Sequence, residues 1–279
     1  MGKLRIGTAG IPASTKPRST ANAVKRLAEL GLRHMEIEFV RGVKMGESTA
    51  KEIRELAEKH DISLTVHAPY YVNLNSAEPE KIAASKDRII QAARAGAWAG
   101  ARSVTFHAAY YHDDDPAGVF IRVKEHMEEM LARLEEEGID IRLSPETTGG
   151  PSQFGTLEEL VRLGEEVPGV YPCVDFSHLF ARSLGEYNSY EHFSGTLQLI
   201  RDKLGEQALK EMHIHLSGIE YGPKGEKRHL PLEETELKYE DVLRALIDFE
   251  AAGWLTCESP ILEEDALILQ GLYNELKNT

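Results

Sequence analysis

Six residues of the kinds that bind metal ions or move protons close successive apolar runs of the chain. They are His67 in "LTVHA", His107 in "VTFHA", Glu146 in "RLSPE", Asp175 in "PCVDF", His215 in "HIHLS" and Glu258 in "LTCES". Such groups are seldom buried without a partner, and a divalent cation is the partner that suits all six together. Two more fit the series: His178, three residues after Asp175, and His229 in the segment "SGIEYGPKGEKRHLPL", with Glu226 three residues before it. Alone, a histidine at a strand end is more often a hydrogen-bonded core residue. As a set the balance reverses, because a separate local partner for each is a heavier demand than one cluster serving all. Nine nitrogen and oxygen ligands exceed what one tetrahedral ion takes, so two or three ions are expected, with Asp175 and His178 on different ones. The share of imidazole favours Zn2+, with Mn2+ or Fe2+ next. His213 alternates with His215 on the same face, and His215 is preferred because it stands nearer the end of the run. His34, His60, His112, His126 and His192 are given no role.

Such a series needs a scaffold that brings many strand ends to one place. Short apolar runs at 4–10, 34–40, 62–68, 103–108, 139–146, 170–176, 211–217 and 254–259 alternate with amphipathic segments such as "TANAVKRLAEL" and "DVLRALIDFEAAG". Gly31, Gly138 and Gly253 stand where helix C-caps belong. Eight strand-then-helix units predict a single-domain (β/α)8 TIM barrel over residues 1–279, with its site at the C-terminal ends of the strands. A doubly wound open sheet is the alternative, but no glycine-rich phosphate fingerprint follows the first strand.

Composition narrows the function classes. No apolar run approaches the length needed to cross a bilayer, and "MGKLRIG" leads into a strand without a signal-peptide core, so a cytoplasmic protein without a membrane partner is expected. Cys173 and Cys257 sit in apolar runs and read as buried thiols. The net charge of −14 argues against general nucleic-acid adhesion but leaves room for a local basic groove.

In order and spacing, "HAPYYVNL", "TFHAAYY", "PETTGG", "VDFSHLFA", "HLSG" and "CESP" resemble the metal-binding motifs of the endonuclease IV family, from the third strand to the eighth. That resemblance implies the same barrel and a trinuclear zinc cluster that cuts DNA 5′ to an abasic site. It implies that His67, His107 and Glu146 hold one ion, that Glu146 bridges to a second held by Asp175, His215 and Glu258, and that His178 and His229 bind a third. This chain departs from the pattern in four places. Glu226 and Lys227 precede His229 where the family carries Asp-x-His, Ala68-Pro69 replaces Asp-Ser, and Thr147 replaces Asn. The second strand also lacks the family's Asn-x-Arg stretch that touches DNA.

Two chemistries compete. Glu146, Asp175, His215 and Glu258 alone suffice for a one-metal sugar isomerase or epimerase, with Glu146 or Glu258 moving a proton. The additional imidazoles favour phosphodiester hydrolysis, because paired ions generate hydroxide and stabilise both the attacking and the leaving oxygen. The expected reaction is therefore incision of double-stranded DNA at abasic sites by a monomer, with Glu146 and Glu258 as catalytic groups. Tyr70, Tyr71 and Asn73 directly follow His67, where they could wedge against a flipped nucleotide. Lys16, Arg18, Arg41, Lys44, Arg182, Lys224, Lys227 and Arg228 fall in segments expected on the same face, as a basic crescent for phosphates. A cluster retained only for metal binding or stability is the least favoured reading.

Overall fold

The computed structural model describes residues 3–278. Twelve strands are present among them: β1 (Leu4–Ala9), β2 (His34–Glu38), β3 (Ser63–His67), β4 (Ser103–Phe106), β5 (Ala109–Tyr110), β6 (Arg142–Pro145), β7 (Gln153–Phe154), β8 (Cys173–Asp175), β9 (Met212–Leu216), β10 (Gly218–Gly222), β11 (Gly225–Leu230) and β12 (Gly253–Cys257). Eight form one parallel sheet in the order β6-β4-β3-β2-β1-β12-β9-β8. Parallel bridges from Leu143 to Val170 and from Glu146 to Cys173 join its two edges, so the sheet closes into the expected barrel.

The helices between the strands are set by their ends. Ser19 caps the helix Thr20–Leu30 at its start, and Gly31 closes it in the left-handed conformation at φ 81°. Thr156 and Glu159 form a reciprocal capping box on the helix Leu157–Glu166. Gly253 is not a cap: it opens β12 at φ 112°, where a Cβ would stand 2.2 Å from the Met212 carbonyl oxygen. The fifth barrel strand is also shorter than 139–146, so Glu146 lies one residue beyond β6 and His107 one residue beyond β4.

Alternation along each strand separates two environments. Val66 faces the helix Pro79–Trp98 closely enough that a Cβ on Gly96 would fall 2.9 Å from it. The intervening polar side chains bond to one another between nearby strands around the barrel: His34 to Thr256 at 3.1 Å, Thr65 to Glu36 at 2.6 Å and Ser103 to Ser144 at 2.6 Å. A barrel interior is usually filled by branched aliphatic residues. This one carries a hydrogen-bonded polar layer directly beneath the strand ends.

Two antiparallel pairs decorate the C-terminal face. β5 pairs with β7, and β10 with β11. The second pair replaces the open loop expected after the seventh barrel strand.

Candidate metal centre

Glu146 is the hub of the C-terminal face. Only 1% exposed, it turns Oε2 toward His67 Nε2 at 3.4 Å and His107 Nε2 at 3.2 Å. Its Oε1 lies 3.0 Å from His215 Nδ1 and 3.2 Å from His178 Nδ1. Glu258 Oε2 approaches the same His215 nitrogen at 3.3 Å. Ligand atoms of Glu146, Asp175, His215 and Glu258 all lie within 4.8 Å of one another, and those of His107, Glu146 and His178 form a second such group.

Asp175 serves two structural roles because it ends β8 and opens the helix Phe176–Arg182. Its Oδ1 accepts the backbone N–H of His178 at 2.9 Å, an N-cap bond, and its Oδ2 is left buried with no hydrogen-bond partner. Glu146 Oε2 and His178 Nε2 are orphaned in the same way. Three buried polar atoms without partners, converging among carboxylates and imidazoles, are what a cation-binding donor set requires.

The backbone fixes which ring nitrogen each histidine presents. Carbonyl oxygens only accept, so His67 donates Nδ1–H to Ala68 at 2.8 Å, His178 to Thr147 at 2.8 Å and His229 to Glu258 at 3.1 Å. Each ring therefore turns Nε2 inward, where it carries a proton toward the carboxylates and would offer a lone pair to a cation that displaced that proton. His178 Nε2 faces Glu226 Oε2 at 3.1 Å, and His229 Nε2 faces Glu226 Oε1 at 3.5 Å. His178, Glu226 and His229 thus make a third compact group. Gly149 makes room for it, since a Cβ there would sit 2.6 Å from Glu226 Cβ, and the Glu226 N–H is bonded to the Gly149 carbonyl at 3.0 Å.

Charge in the cluster is strongly shifted. Burial alone would raise the Glu146 carboxyl, but the charges of His215 and His107 hold it well below the usual range. Burial also opposes protonation of His67, yet the bond to Glu146 and the charge of Glu38 carry it up to about 10. Burial raises Asp175, with Glu258 and Glu146 adding to the effect against the opposing charge of His178. Protons on the imidazoles supply the positive charge that these carboxylates demand.

The remaining expected residues are placed unevenly. Tyr70 and Tyr71 are 63% and 72% exposed, and the Tyr70 ring lies beside the cluster, 5.7 Å from that of His67. Arg41, Lys16, Arg18, Lys44 and Lys224 are exposed. Asn73 braces its own loop, accepting from the backbone of Asn75 at 3.0 Å and lying 3.1 Å from His112 Nε2. Arg182 corrects the basic crescent, because its guanidinium donates to the carbonyls of Gly150 and Gln153 at 2.6 and 3.0 Å. Lys227 and Arg228 are both paired with Glu220, at 3.1 and 2.7 Å.

Glu36 and Glu38 are not among the residues expected from the sequence. Their signal is the period-two pattern His34, Glu36, Glu38 within "HMEIEFV", which puts three polar side chains on one face of a strand. Glu36 is fully buried, and His213 bonds to it one layer below the cluster, while His215 reaches the cluster itself.

A closed (β/α)8 barrel with carboxylates and imidazoles gathered at its strand ends defines the class of the molecule, and the chain belongs to the xylose isomerase-like TIM barrel family, whose model matches residues 24–273. It is 45% identical over 273 residues to an uncharacterized protein of Methanocaldococcus jannaschii, covering 98% of both chains. It is 27% identical over 252 residues to a probable endonuclease 4 of Carboxydothermus hydrogenoformans, covering 82% of each. Among solved structures it is similar to endonuclease IV from Thermus thermophilus, with a TM-score of 0.73 and 21% identity over 98% of this chain and 99% of that one. A D-tagatose 3-epimerase-like protein gives the same TM-score of 0.73 at 17% identity, over 97% and 98%. Likeness at these identities defines a fold that the two share.

Proposed function

We propose that the chain is a metal-dependent endonuclease that hydrolyses the phosphodiester 5′ to abasic sites in double-stranded DNA. The observation that carries this reading is the third ligand group of His178, Glu226 and His229, which proton transfer on a sugar does not need. His67, His107 and Glu146 would hold one ion, Glu146, Asp175, His215 and Glu258 a second, and His178, Glu226 and His229 a third. Bound zinc supplies a water acidified toward neutral pH and positive charge for the phosphate oxygens.

The chain's own residues do the rest. Glu146 offers one oxygen to each of two ligand groups and so sets their separation. Glu258, held at about 2 against the effect of burial by the charge of His215 and its bond, is ionised at neutral pH. Its side chain keeps 14% exposure, so its ionised oxygen can accept a hydrogen bond from an incoming water and orient it. Tyr70 and Tyr71 offer exposed rings for stacking on unpaired bases, and Arg41 an exposed charge for phosphate.

The test combines elemental analysis of the purified protein with a nicking assay on a duplex carrying one abasic site. Two or three equivalents of zinc, manganese or iron together with cleavage 5′ to the lesion is the expected outcome. One equivalent or fewer, with no incision and with epimerisation of a ketohexose, would replace this reading by a sugar epimerase built on Glu146, Asp175, His215 and Glu258 alone.

A further inference from the structure

Glu36 is a fully buried carboxylate near the barrel axis, one layer beneath the ligands. Its Oε2 accepts the Thr65 hydroxyl at 2.6 Å and lies 2.6 Å from His213 Nε2. The other oxygen, Oε1, stands 2.9 Å from His215 Nε2. The two approach as an ion pair without the alignment of a hydrogen bond, and neither that oxygen nor that nitrogen has another partner in the protein. His213 is steadied in turn by Ser103, whose Oγ is 2.9 Å from its Nδ1.

His215 differs from the other site histidines in how its ring is fixed. His67, His178 and His229 each give a proton to a neutral backbone carbonyl and turn Nε2 inward. His215 turns Nδ1 toward Glu146 and Glu258 and has a charged carboxylate behind its Nε2. A carboxylate there favours the Nε2–H tautomer, leaves the lone pair on Nδ1 and makes that nitrogen a better donor than a carbonyl would.

We infer that Glu36 is a positioning residue for the metal centre, holding His215 in the tautomer and orientation that the deep ion needs and strengthening it as a ligand. The inference rests on the reading of the strand-end cluster as a metal site, but not on which reaction that site performs. Thr65 touches only the far oxygen of the carboxylate and supports its packing.

The experiment is Co2+ binding to metal-free protein, followed by equilibrium dialysis and visible absorption, for wild type, Glu36→Gln and Thr65→Val. Glu36→Gln keeps the shape and removes the charge. Affinity for the tightest Co2+ is expected to fall about 10–100-fold, with a shifted ligand-field spectrum and an unchanged far-ultraviolet circular dichroism spectrum. Thr65→Val should lower thermal stability while leaving affinity within about threefold, because Oε1 still faces His215. Should Glu36→Gln fail to fold, long-range 15N–1H correlation spectra of zinc-loaded wild type decide the matter: a proton on His215 Nε2 with metal on Nδ1 supports the inference, and metal on Nε2 overturns it. Wild-type and Glu36→Gln proteins with equal affinity and identical spectra would overturn the inference and leave the metal centre standing. A wild-type protein that binds no Co2+ would overturn both.

Discussion

The deep ligand set and the outer corner are built on opposite principles. Glu146, Asp175 and His215 are buried at the ends of barrel strands, each side chain 1% exposed or less. His178 is equally buried, but its partners Glu226 and His229 keep side chains 23% exposed and ride on β11, outside the barrel sheet. The deep groups are fixed by the closed sheet. The corner exists only because a hairpin folds back over the Gly149–Gly150 turn. Breaking a buried charge set is expensive, on the order of 3–5 kcal/mol for an orphaned partner, whereas a partly exposed one is eased by water. The corner is therefore where metal affinity can change without endangering the fold.

Glu146→Gln should break the comparison most severely. With the hub carboxylate neutral, both deep groups lose charge compensation, so incision should fall by several orders of magnitude and at least one metal equivalent should be lost. Circular dichroism at room temperature should keep the wild-type shape while the melting temperature falls, and Glu135→Gln, on the exposed face of the helix Pro116–Glu136, should leave activity unchanged. Near-normal cutting by Glu146→Gln would refute the cluster mechanism.

Glu226→Gln should act only at the corner. One equivalent should dissociate about 10–100-fold more readily while the others stay bound, a difference that competitive chelation resolves. If all equivalents weaken together, the corner is not a separate group.

The pH response separates metal-free from loaded protein. Burial lowers His229, but the bond to Glu226 and the charge of Glu258 outweigh it and raise the ring to about 9, while His67 stands at about 10. Both exceed the unfolded value of about 6.5, so the stability they contribute is complete below that pH and lost as pH rises through 9 and 10. Metal-free protein should thus melt at progressively lower temperature between about pH 7 and 10. Loaded protein should show the reverse trend on acidification, because ligands must lose protons to bind. Differential scanning calorimetry on both forms would show whether the two slopes oppose.

The smallest effect is expected of Lys227→Glu with Arg228→Glu. Both cations already pair with Glu220, so the salt dependence of DNA binding should flatten by no more than about two phosphate contacts. An unchanged slope would remove them from the DNA-facing surface.

What the sequence discloses follows the range of the forces involved. The strand ends are legible because an ionisable residue closing an apolar run is unusual and recurs in six successive units. Glu36 and Glu38 are hidden because an acidic pair in a short strand resembles an edge exposed to water, and only barrel closure turns that face inward. The hairpin Gly218–Leu230 reads as a loop because its glycines and charges mask strand alternation, and its two strands pair mainly with each other. Arg182 reads as free for phosphate because its partners are carbonyls of a turn some 30 residues earlier, which no local pattern reveals. Glu226 has equal sequence support as ligand or solvated charge, and only the space left by Gly149 distinguishes the two.

Asp175 belongs to the deep set through Oδ2 and, through Oδ1, fastens the backbone of His178, which belongs to the corner. One carboxylate thus joins the two compartments rigidly, within a single helical turn. Filling of the deep set steadies the first turn that presents His178 to the corner, so loading should be ordered and not all-or-none: partially loaded samples should be rich in molecules lacking one equivalent, a distribution that native mass spectrometry counts directly.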